Sequence, residues 1–359
     1  MKTVCLIDYD MSVRGGVEQV TAALANALAD HCRVYVVSLC MTGPLDYTLD
    51  ERVTFVHFLD HDPGLKKLLL TVTPRLARFF RQNKVDVAIV QGNYPGFVSS
   101  PIQPFSKTKL VFCDHGALMN QWNNRKIRTI RKQASRLCRK TVTLTEQSRV
   151  DYVRQFGLDD DRVICIYNWI DLDKPHAERY DPSSKRIVSA GRFGKEKGFD
   201  MLVNAYAPLA KRFPDWHLDI FGDGEMMETV RGLVEEHGIG DNVHLLGMRD
   251  DLADRYKDYA FYVLPSYREG MPLVLLEAKA NRLPIVSFDI MTGPREIVRD
   301  GVDGTLVPPY DLQALGEAMA TLIQDENLRV SMSERSQETL NNFSKTTILQ
   351  QWITLIESL

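Results

Sequence analysis

Short apolar runs alternate with segments of helical periodicity along the first half of the chain. In the helical segments the apolar residues recur at spacings of three and four, which places them on one face. The short runs are apolar almost throughout, which is typical of strands in a parallel sheet that is covered on both faces. The pattern predicts helices at 16–29 and 65–82 and strands at 3–7, 34–38, 52–57, 85–90, 110–113 and 141–144.

The same alternation restarts beyond a polar stretch at 167–184, which contains Asn168, Asp171 and Pro182. Residues of these types interrupt regular structure, so a linker is predicted there. The sequence therefore indicates an α/β protein of two doubly wound, Rossmann-like domains, 1–170 and 171–345, with a last helix at 346–359 that crosses back to the first domain. The second domain has predicted helices at 199–213, 226–236 and 272–281 and strands at 186–189, 217–221, 243–246, 261–264 and 284–288.

Parallel sheets of this kind bind ligands at the carboxyl ends of their strands. Two such sheets facing each other would place the active site in the cleft between the domains. Polar residues that directly follow a predicted strand are therefore the candidates for chemistry.

Composition narrows the class of protein. The chain has 359 residues, 44% of them hydrophobic, which suits two domains with cores of their own. No run of about 18 apolar residues is present, and the N-terminus lacks the apolar region of a signal peptide. The six cysteines form no CxxC pair, so small buried thiols in a reducing cytoplasm are expected.

Charge is divided unevenly between the halves. Residues 1–175 hold 24 basic and 18 acidic residues, a net charge of +6, whereas the remainder holds 20 and 29, a net charge of -9. The segment 125–140 has eight basic residues and no acidic residue. The segment 66–84 has six basic residues and no acidic residue. Such runs indicate either solvated helix faces or an anionic partner, such as membrane headgroups, a diphosphate or nucleic acid. Nucleic acid is disfavoured because 125–140 has no aromatic residue on which bases could stack.

The densest chemical signal follows the predicted strand 261–264. Pro272 suits the first turn of a helix, and the free amides of Leu273 and its neighbour would then form an anion site for a phosphate. Glu277 lies inside that helix among apolar residues, where a ribose diol could supply the hydrogen bonds that a buried carboxylate needs. Glu269 precedes the helix and would lie near whatever the phosphates carry. The alternative is a helix-start carboxylate and a buried structural glutamate.

A second signal follows the strand 186–189. Arg192 and Lys197 would put two cations at one strand end, where a diphosphate leaving group needs neutralising. The spacing is not that of a P-loop, and solvated loop cations would explain the pattern equally well.

Three weaker signals also follow strands. Gly15 and Gly16 would let the backbone approach a ligand closely, although the absence of GxGxxG argues against an NAD enzyme. Gly222 lies in a glycine turn that turn geometry alone could explain. His115 stands just beyond a strand of the first domain and is either structural or part of the site.

Together these residues closely resemble glycosyltransferase family 4. The resemblance runs in order from residue 4 to about 310 and implies a GT-B fold and a retaining transfer of a sugar from a nucleotide diphosphate. It rests on Gly15-Gly16, His115-Gly116, Asn168 to Asp171, Arg192, Lys197, the Glu269-to-Glu277 spacing within EGMPLVLLEA, and Gly293-Pro294-Arg295-Glu296-Ile297.

The resemblance also implies roles for single residues. Arg192 and Lys197 would bind the diphosphate, Glu277 the ribose, and Glu269 and His115 the donor sugar. This makes His115, Arg192, Lys197 and Glu269 the expected catalytic residues. The remaining donor-binding positions would be Gly15, Gly16, Gly222, Met271, Pro272 and Leu273, with Gly16 approaching the phosphates from the opposite domain.

The implied reaction needs neither a metal nor another cofactor. A retaining hydrolase would need two carboxylates about 5 Å apart, whereas this family's implied route is same-face attack, with the departing phosphate taking the acceptor's proton. Asp8-Tyr9-Asp10 and Asp171-Leu172-Asp173 have the DxD spacing of metal-dependent sugar transferases, but they are predicted to be structural.

The expected partners are a nucleotide-sugar donor, with UDP preferred over GDP, and a glycan acceptor linked to a polyprenyl diphosphate. The segments 65–84 and 125–140 could contact an anionic membrane, which would make the protein cytoplasmic and peripheral at the inner face. Two other functions stay open: a nucleotide-sugar epimerase of similar two-domain fold, and a non-catalytic carbohydrate-binding or membrane-binding protein.

Overall fold

The structure is a computed structural model that describes residues 1–173, 176–177, 179–249 and 251–359. Its contacts divide the chain into two units, which are described separately. Unit 1 comprises residues 1–168 and 348–359, and unit 2 comprises residues 169–347. Three residues of the predicted linker, Lys174, Pro175 and Glu178, lie outside the described part of the chain.

Unit 1 contains a parallel sheet of seven strands within residues 1–168, every one of which is described. The strand order is β3-β2-β1-β4-β5-β6-β7. The strands are β1 Thr3–Asp10, β2 Arg33–Cys40, β3 Thr54–His57, β4 Val87–Gln91, β5 Lys109–Asp114, β6 Lys140–Thr143 and β7 Val163–Cys165. The helices are α1 Gly16–Leu28, α2 Leu65–Gln82, α3 Asn93–Ser99, α4 Arg125–Leu137 and α5 Glu146–Phe156.

Unit 2 contains a second parallel sheet, with six strands in its described part, in the order β10-β9-β8-β11-β12-β13. The strands are β8 Arg186–Ala190, β9 His217–Phe221, β10 Val243–Gly247, β11 Phe261–Leu264, β12 Ile285–Phe288 and β13 Gly304–Val307. The helices are α6 Phe199–Arg212, α7 Met227–His237, α8 Leu252–Arg255, α9 Leu273–Ala280, α10 Pro294–Ile297, α11 Leu312–Gln324 and α12 Glu326–Arg335.

The last helix, α13 Lys345–Ser358, begins in unit 2, and its residues from Ile348 onward belong to unit 1. It buries Ile348 and Trp352, and the Nζ atom of Lys2 donates a hydrogen bond to the carbonyl oxygen of Ile356 at 2.7 Å. Among the described helices, none is both long enough and apolar enough to cross a bilayer.

Each sheet has one point at which the direction of strand addition reverses. In unit 1 this point lies between β1 and β4, and in unit 2 between β8 and β11. The loops that leave two such strands diverge to opposite sides and open a crevice, where doubly wound sheets bind their ligands. The candidate residues Gly15 and Gly16 follow β1, Arg192 and Lys197 follow β8, and Glu269 follows β11.

Candidate active site

An ion pair joins the two loops that flank the reversal point of unit 2. Lys197, after β8, places its Nζ atom 2.7 Å from Oε1 of Glu269, after β11. The same oxygen accepts a hydrogen bond from Oγ of Ser266 at 2.6 Å, and Oγ1 of Thr292 donates to the Glu269 carbonyl oxygen at 2.7 Å. The Glu269 side chain is only 10% exposed. Both its carboxylate and its backbone are therefore held in place.

Backbone packing brings this pair together. Gly198, directly after Lys197, has φ +67, and a Cβ atom there would lie 2.2 Å from the carbonyl oxygen of Pro265. The backbone N–H of Tyr267 also donates to the carbonyl oxygen of Glu196 at 2.8 Å. Only glycine allows the two loops to approach this closely in a left-handed conformation. The contact thus fixes Lys197 beside Glu269.

Arg192 lies on the same loop in a different setting. Its Nη2 atom is 2.8 Å from Oε1 of Glu196, and its side chain is 74% exposed. Partial burial raises the pKa of Glu196, but hydrogen bonds, above all from Arg192, outweigh this and lower it overall. Arg192 is therefore presented to solvent on the loop that carries Lys197.

Gly222, after β9, serves the packing of neighbouring loops. It has φ +127, and a Cβ atom there would lie 1.8 Å from the carbonyl oxygen of Gly191. The backbone N–H of Gly191 donates to the carbonyl oxygen of Phe221 at 3.0 Å. Packing alone requires glycine at 222, and a donor-binding role for it stays a prediction.

Helix α9 begins one residue later than predicted. Pro272 is extended, with φ −76 and ψ 102, and precedes the helix rather than forming its first turn. The N–H of Leu275 bonds the Pro272 carbonyl oxygen at 3.1 Å, so the N–H groups of Leu273 and Val274 stand at the open helix start, where anions are favoured. Met271, just before Pro272, is buried.

Glu277 lies on α9 and is half-buried. The hydroxyl of Tyr256, which is buried, donates to its Oε2 atom at 3.3 Å. The carboxylate thus has a partner within the protein, and Glu277 is not fully buried. This arrangement is compatible with a ribose diol and also with the structural role that the sequence left open.

In unit 1, His115 follows β5 and is half-buried. Its Nε2 atom lies 2.6 Å from Oε1 of Gln91, the last residue of β4. Burial lowers the pKa of His115 to about 4, although the neighbouring Asp114 carboxylate opposes the shift. The imidazole is therefore neutral near pH 7.

The loop around His115 is anchored by a buried ion pair. Asp114 and Arg131 are each 1% exposed and lie 2.9 Å apart, and the hydroxyl of Tyr152 donates to Asp114 at 2.7 Å. Arg131 also donates to the carbonyl oxygens of Ala117 and Leu118, at 3.4 and 3.3 Å. Arg131 belongs to the basic run 125–140, but its guanidinium is buried against Asp114 and is therefore not available to an anionic partner of that run.

The β1–α1 loop carries the two glycines of unit 1. Helix α1 begins at Gly16, and the N–H of Gly15 donates to the hydroxyl of Tyr47 at 2.9 Å. A Cβ atom on Gly16 would meet nothing within 4 Å. Packing within unit 1 therefore does not require glycine at 16, and the backbone there is open to a close approach.

The predicted structural role of the first DxD motif agrees with its contacts. Asp8 accepts a hydrogen bond from Oγ1 of Thr21 at 2.6 Å, and Asp10 accepts from Ser12 at 2.5 Å and Thr42 at 2.7 Å. In the described ranges, no group of three or more histidine, cysteine or acidic side chains is arranged to hold a metal ion.

Several residues of the site were missed by sequence reasoning. Gln91, like His115, is a polar residue at the end of an apolar strand, so the criterion that identified His115 could also have identified Gln91. Ser266 lies three residues before Glu269 and Thr292 directly precedes Gly293, and their contacts to Glu269 were not predicted. Tyr256 lies in a short turn with no distinguishing pattern, and only the structure relates it to Glu277.

Models of known protein families match the sequence of both units. A model described as Glycosyltransferase Family 4 matches residues 14–174, and one described as Glycosyl transferases group 1 matches residues 173–339. A protein of Haemophilus influenzae named as an uncharacterized glycosyltransferase is 30% identical over 356 residues, which cover 98% of this chain and 99% of the relative.

One further relative and one solved structure carry more specific names. The N-acetylgalactosamine-N,N'-diacetylbacillosaminyl-diphospho-undecaprenol 4-alpha-N-acetylgalactosaminyltransferase of Campylobacter jejuni is 26% identical over 349 residues, 93% of this chain and 94% of that enzyme. The crystal structure of Anabaena Alr3699/HepE in complex with UDP and glucose has a TM-score of 0.84 at 20% identity, covering 99% of each chain. At that identity the structural likeness shows a shared fold alone.

Proposed function

This chain belongs to glycosyltransferase family 4, and from that premise we propose that it transfers a hexose or N-acetylhexosamine from a nucleotide-diphosphate sugar to a hydroxyl of a glycan. The proposed nucleotide is UDP, and the proposed acceptor is linked to a polyprenyl diphosphate in surface polysaccharide or glycan biosynthesis. Family membership favours transfer over the epimerase and the non-catalytic binding protein that the sequence left open.

One observation supports the donor site: Lys197 and Glu269 form an ion pair at the reversal point of the unit 2 sheet, and α9 begins four residues after Glu269. A diphosphate needs cations and N–H groups, which Lys197, Arg192 and the amide of Leu273 would supply. A sugar has hydroxyl groups, which can donate hydrogen bonds to a carboxylate such as that of Glu269. We therefore assign the diphosphate to Lys197, Arg192 and the Leu273 amide. The sugar is assigned to Glu269 and His115, and the ribose to Glu277.

The proposed reaction retains the configuration of the sugar. The bond between the anomeric carbon and the β-phosphate oxygen breaks, and the acceptor oxygen bonds the same face of that carbon. The acceptor's proton passes to the departing phosphate. Lys197, Arg192 and the α9 amides would stabilise the charge on that phosphate, which is the largest contribution that a protein makes to such steps. Because these groups are cationic or N–H donors, we propose that no divalent metal is required.

A nucleotide panel tests the donor site. We expect UDP or UDP-sugars, added with EDTA at about 100 times the dissociation constant, to stabilise the protein by about 2.7 kcal/mol, a shift of a few degrees in Tm. Glu277→Ala should lose most of the shift, whereas the exposed control Glu235→Ala should keep it. A response to GDP or ADP instead would replace UDP in the proposal, and no response to any nucleotide would refute it.

The acceptor proposal draws on the Campylobacter relative, whose name specifies a diphospho-undecaprenol, and on the exposed face of α2. Lys66, Lys67, Arg75 and Arg78 are exposed there, and Leu70 is exposed beside them. The turn Ser100–Phe105 packs against both α2 and α4, and its Phe105 side chain is 93% exposed. Cationic groups with exposed apolar side chains between them suit the surface of an anionic bilayer.

Vesicle binding tests this surface. Wild type should bind phosphatidylglycerol-containing vesicles, with binding that weakens with salt, since each engaged Lys or Arg contributes about 1 kcal/mol. Reversal of Lys66, Lys67, Arg75 and Arg78 to Glu should abolish binding. The control reverses four exposed basic residues of unit 2: Lys185, Lys211, Arg231 and Lys257. Equal vesicle binding by the two variants would refute the α2 surface.

A further inference from the structure

Gln91 is a buried amide that the folding of unit 1 does not explain. It ends β4, a strand that is otherwise apolar, and is 1% exposed. Its Oε1 atom lies 2.6 Å from Nε2 of His115. Its Nε2 atom is buried and, within the described residues, has no hydrogen-bond partner. Unpaired buried N–H groups are unfavourable and uncommon in folded proteins, so one at a candidate site needs an explanation.

The contact with His115 determines what the imidazole can offer. A carbonyl oxygen only accepts hydrogen bonds, so with the amide oriented as in the structure Nε2 of His115 must be the donor. A neutral imidazole with its proton on Nε2 carries a lone pair on Nδ1. Gln91 therefore orients the ring and leaves Nδ1 as a hydrogen-bond acceptor.

The loop of His115 does not depend on Gln91 for its position. Asp114 accepts a hydrogen bond from the N–H of Gly116 at 3.1 Å and forms an ion pair with Arg131. Arg131 also donates to the carbonyl oxygens of Ala117 and Leu118. An apolar residue at 91 would fill the strand end without leaving an unpaired amide. Apart from the bond of its Oε1 atom to His115, the amide of Gln91 thus makes no hydrogen bond that would offset its burial within unit 1.

We propose that Gln91 is a positioning and recognition residue for the glycosyl group of the donor, which rests on the sugar-binding role proposed above for His115. It holds His115 with the proton on Nε2, so that Nδ1 accepts a hydrogen bond from a sugar hydroxyl. Its own amide N–H donates to an oxygen of the same sugar. The two side chains together supply one acceptor and one donor, the combination that recognises a hydroxyl-bearing ring.

Gln91→Met tests the proposal because it keeps the length of the side chain and removes the amide. We expect Tm to stay the same or rise, since the unpaired N–H group is gone. Calorimetric titration should give the same affinity for UDP and at least about tenfold weaker affinity for the tightest binder among UDP-glucose, UDP-galactose and UDP-N-acetylglucosamine. Gln103→Met is the control: the Gln103 amide bonds Thr108 and Leu110, so Tm should fall while the ratio of UDP-sugar to UDP affinity is unchanged.

Two readouts separate this inference from the proposed function. In ¹⁵N-histidine NMR, His115 should be the Nε2–H tautomer in wild type and lose that preference in Gln91→Met. In Gln91→Glu, a carboxylate facing Nε2 should raise the His115 pKa, so that UDP-sugar affinity gains a dependence on pH near neutrality while UDP affinity does not.

The results of these experiments distinguish the role of Gln91 from the proposed transferase function. An unchanged tautomer, or an unchanged ratio of UDP-sugar to UDP affinity in Gln91→Met, would overturn the role of Gln91 while leaving the transferase proposal intact. If wild type binds no nucleotide and no nucleotide sugar of any base, the proposed function fails and sugar recognition by Gln91 fails with it. The NMR experiment then still decides whether Gln91 fixes the His115 tautomer.

Discussion

Lys197 and Glu269 are 72 positions apart in the chain, yet their side chains make a 2.7 Å ion pair. The sequence indicated that both lie at strand ends of one domain, because each follows an apolar run. It could not indicate their contact, which depends on the close packing of Gly198 against Pro265. Arg131 shows the same limit: its position in a basic run gave no sign that it is buried against Asp114.

Replacing Lys197 should impair catalysis more than folding. In Lys197→Met we expect kcat to fall by about 10² to 10³, because one group proposed to stabilise the departing phosphate is removed. Lys211→Met, an exposed lysine of α6, should leave kcat unchanged. Steady-state kinetics with the identified donor would measure both. A Lys197→Met enzyme with wild-type kcat would exclude the proposed role.

Asp8 should make stability depend on pH. Burial raises the pKa of Asp8 to about 7, well above the ordinary value near 4. Between about pH 4 and pH 7 the folded state therefore keeps a proton on Asp8 that the unfolded state has released. The contribution of Asp8 to the free energy of unfolding therefore falls as pH rises from about 4 to 7, by up to about 1.4 kcal/mol per pH unit. His115 has its pKa lowered to about 4 and contributes in the opposite direction.

Asp8→Asn isolates the Asp8 contribution. The difference in unfolding free energy between this variant and wild type should grow in the variant's favour from pH 4 to pH 7, measured by urea denaturation at several pH values. Asp241→Asn, at an exposed position of unit 2, should run parallel to wild type. Parallel curves for Asp8→Asn would mean that Asp8 is ionised in the folded protein.

At the scale of elements, the sequence predicted several segments at their observed bounds, although it did not predict the apolar helix α11. Helix α2 has the predicted bounds, as do strands β9 and β11. Elements with few apolar residues were missed: β7 has three residues, and α5 buries only Tyr152 and Phe156 among its aromatic and aliphatic side chains. Their stability comes from packing against neighbours rather than from a local pattern, so periodicity could not reveal them.

The approach of the two unit 2 loops makes Gly198 more sensitive than an ordinary helix-end glycine. Gly198 and Gly238 have nearly equal φ, +67 and +66, but a Cβ on Gly238 would meet nothing within 4 Å. Gly238→Ala should cost about 1 kcal/mol through backbone strain alone. Gly198→Ala should cost a further 1 to 3 kcal/mol, roughly, through the contact with Pro265, and should weaken UDP binding as well.

Chemical denaturation and calorimetry of the two variants measure these effects. Equal destabilisation by Gly198→Ala and Gly238→Ala would show that the loops move apart at little cost. Lys197 and Glu269 would then not be held together by the backbone.

At the scale of the molecule, the chain returns to unit 1 after completing unit 2. The helical spacing of 346–359 predicted an apolar face, which in the structure buries Ile348, Trp352 and Leu355. The sequence supported a return to the first domain without identifying the contacts. Those depend on which surface of unit 1 is left uncovered by α1 to α5, and no local pattern contains that information.

Trp352→Ala should therefore destabilise unit 1 rather than unit 2, although the residue follows unit 2 in the chain. Truncating a buried tryptophan costs about 3 to 5 kcal/mol. Hydrogen exchange should accelerate at amides of β1 and β2 and stay unchanged at those of β8 and β9. Gln351→Ala, at the exposed neighbouring position, should alter neither. Faster exchange confined to unit 2 would contradict the assignment of this helix.

The Lys197–Glu269 pair also bears on turnover. A phosphate that binds the Lys197 ammonium would remove the counter-ion of Glu269, whose side chain is only 10% exposed. In the proposed site an intact donor would compensate, because its sugar would bring hydroxyl groups to Glu269. The spent nucleotide would bring phosphates alone, and its departure would restore the ion pair. We therefore expect product inhibition to be weak, with the nucleotide leaving more readily than the donor from which it came.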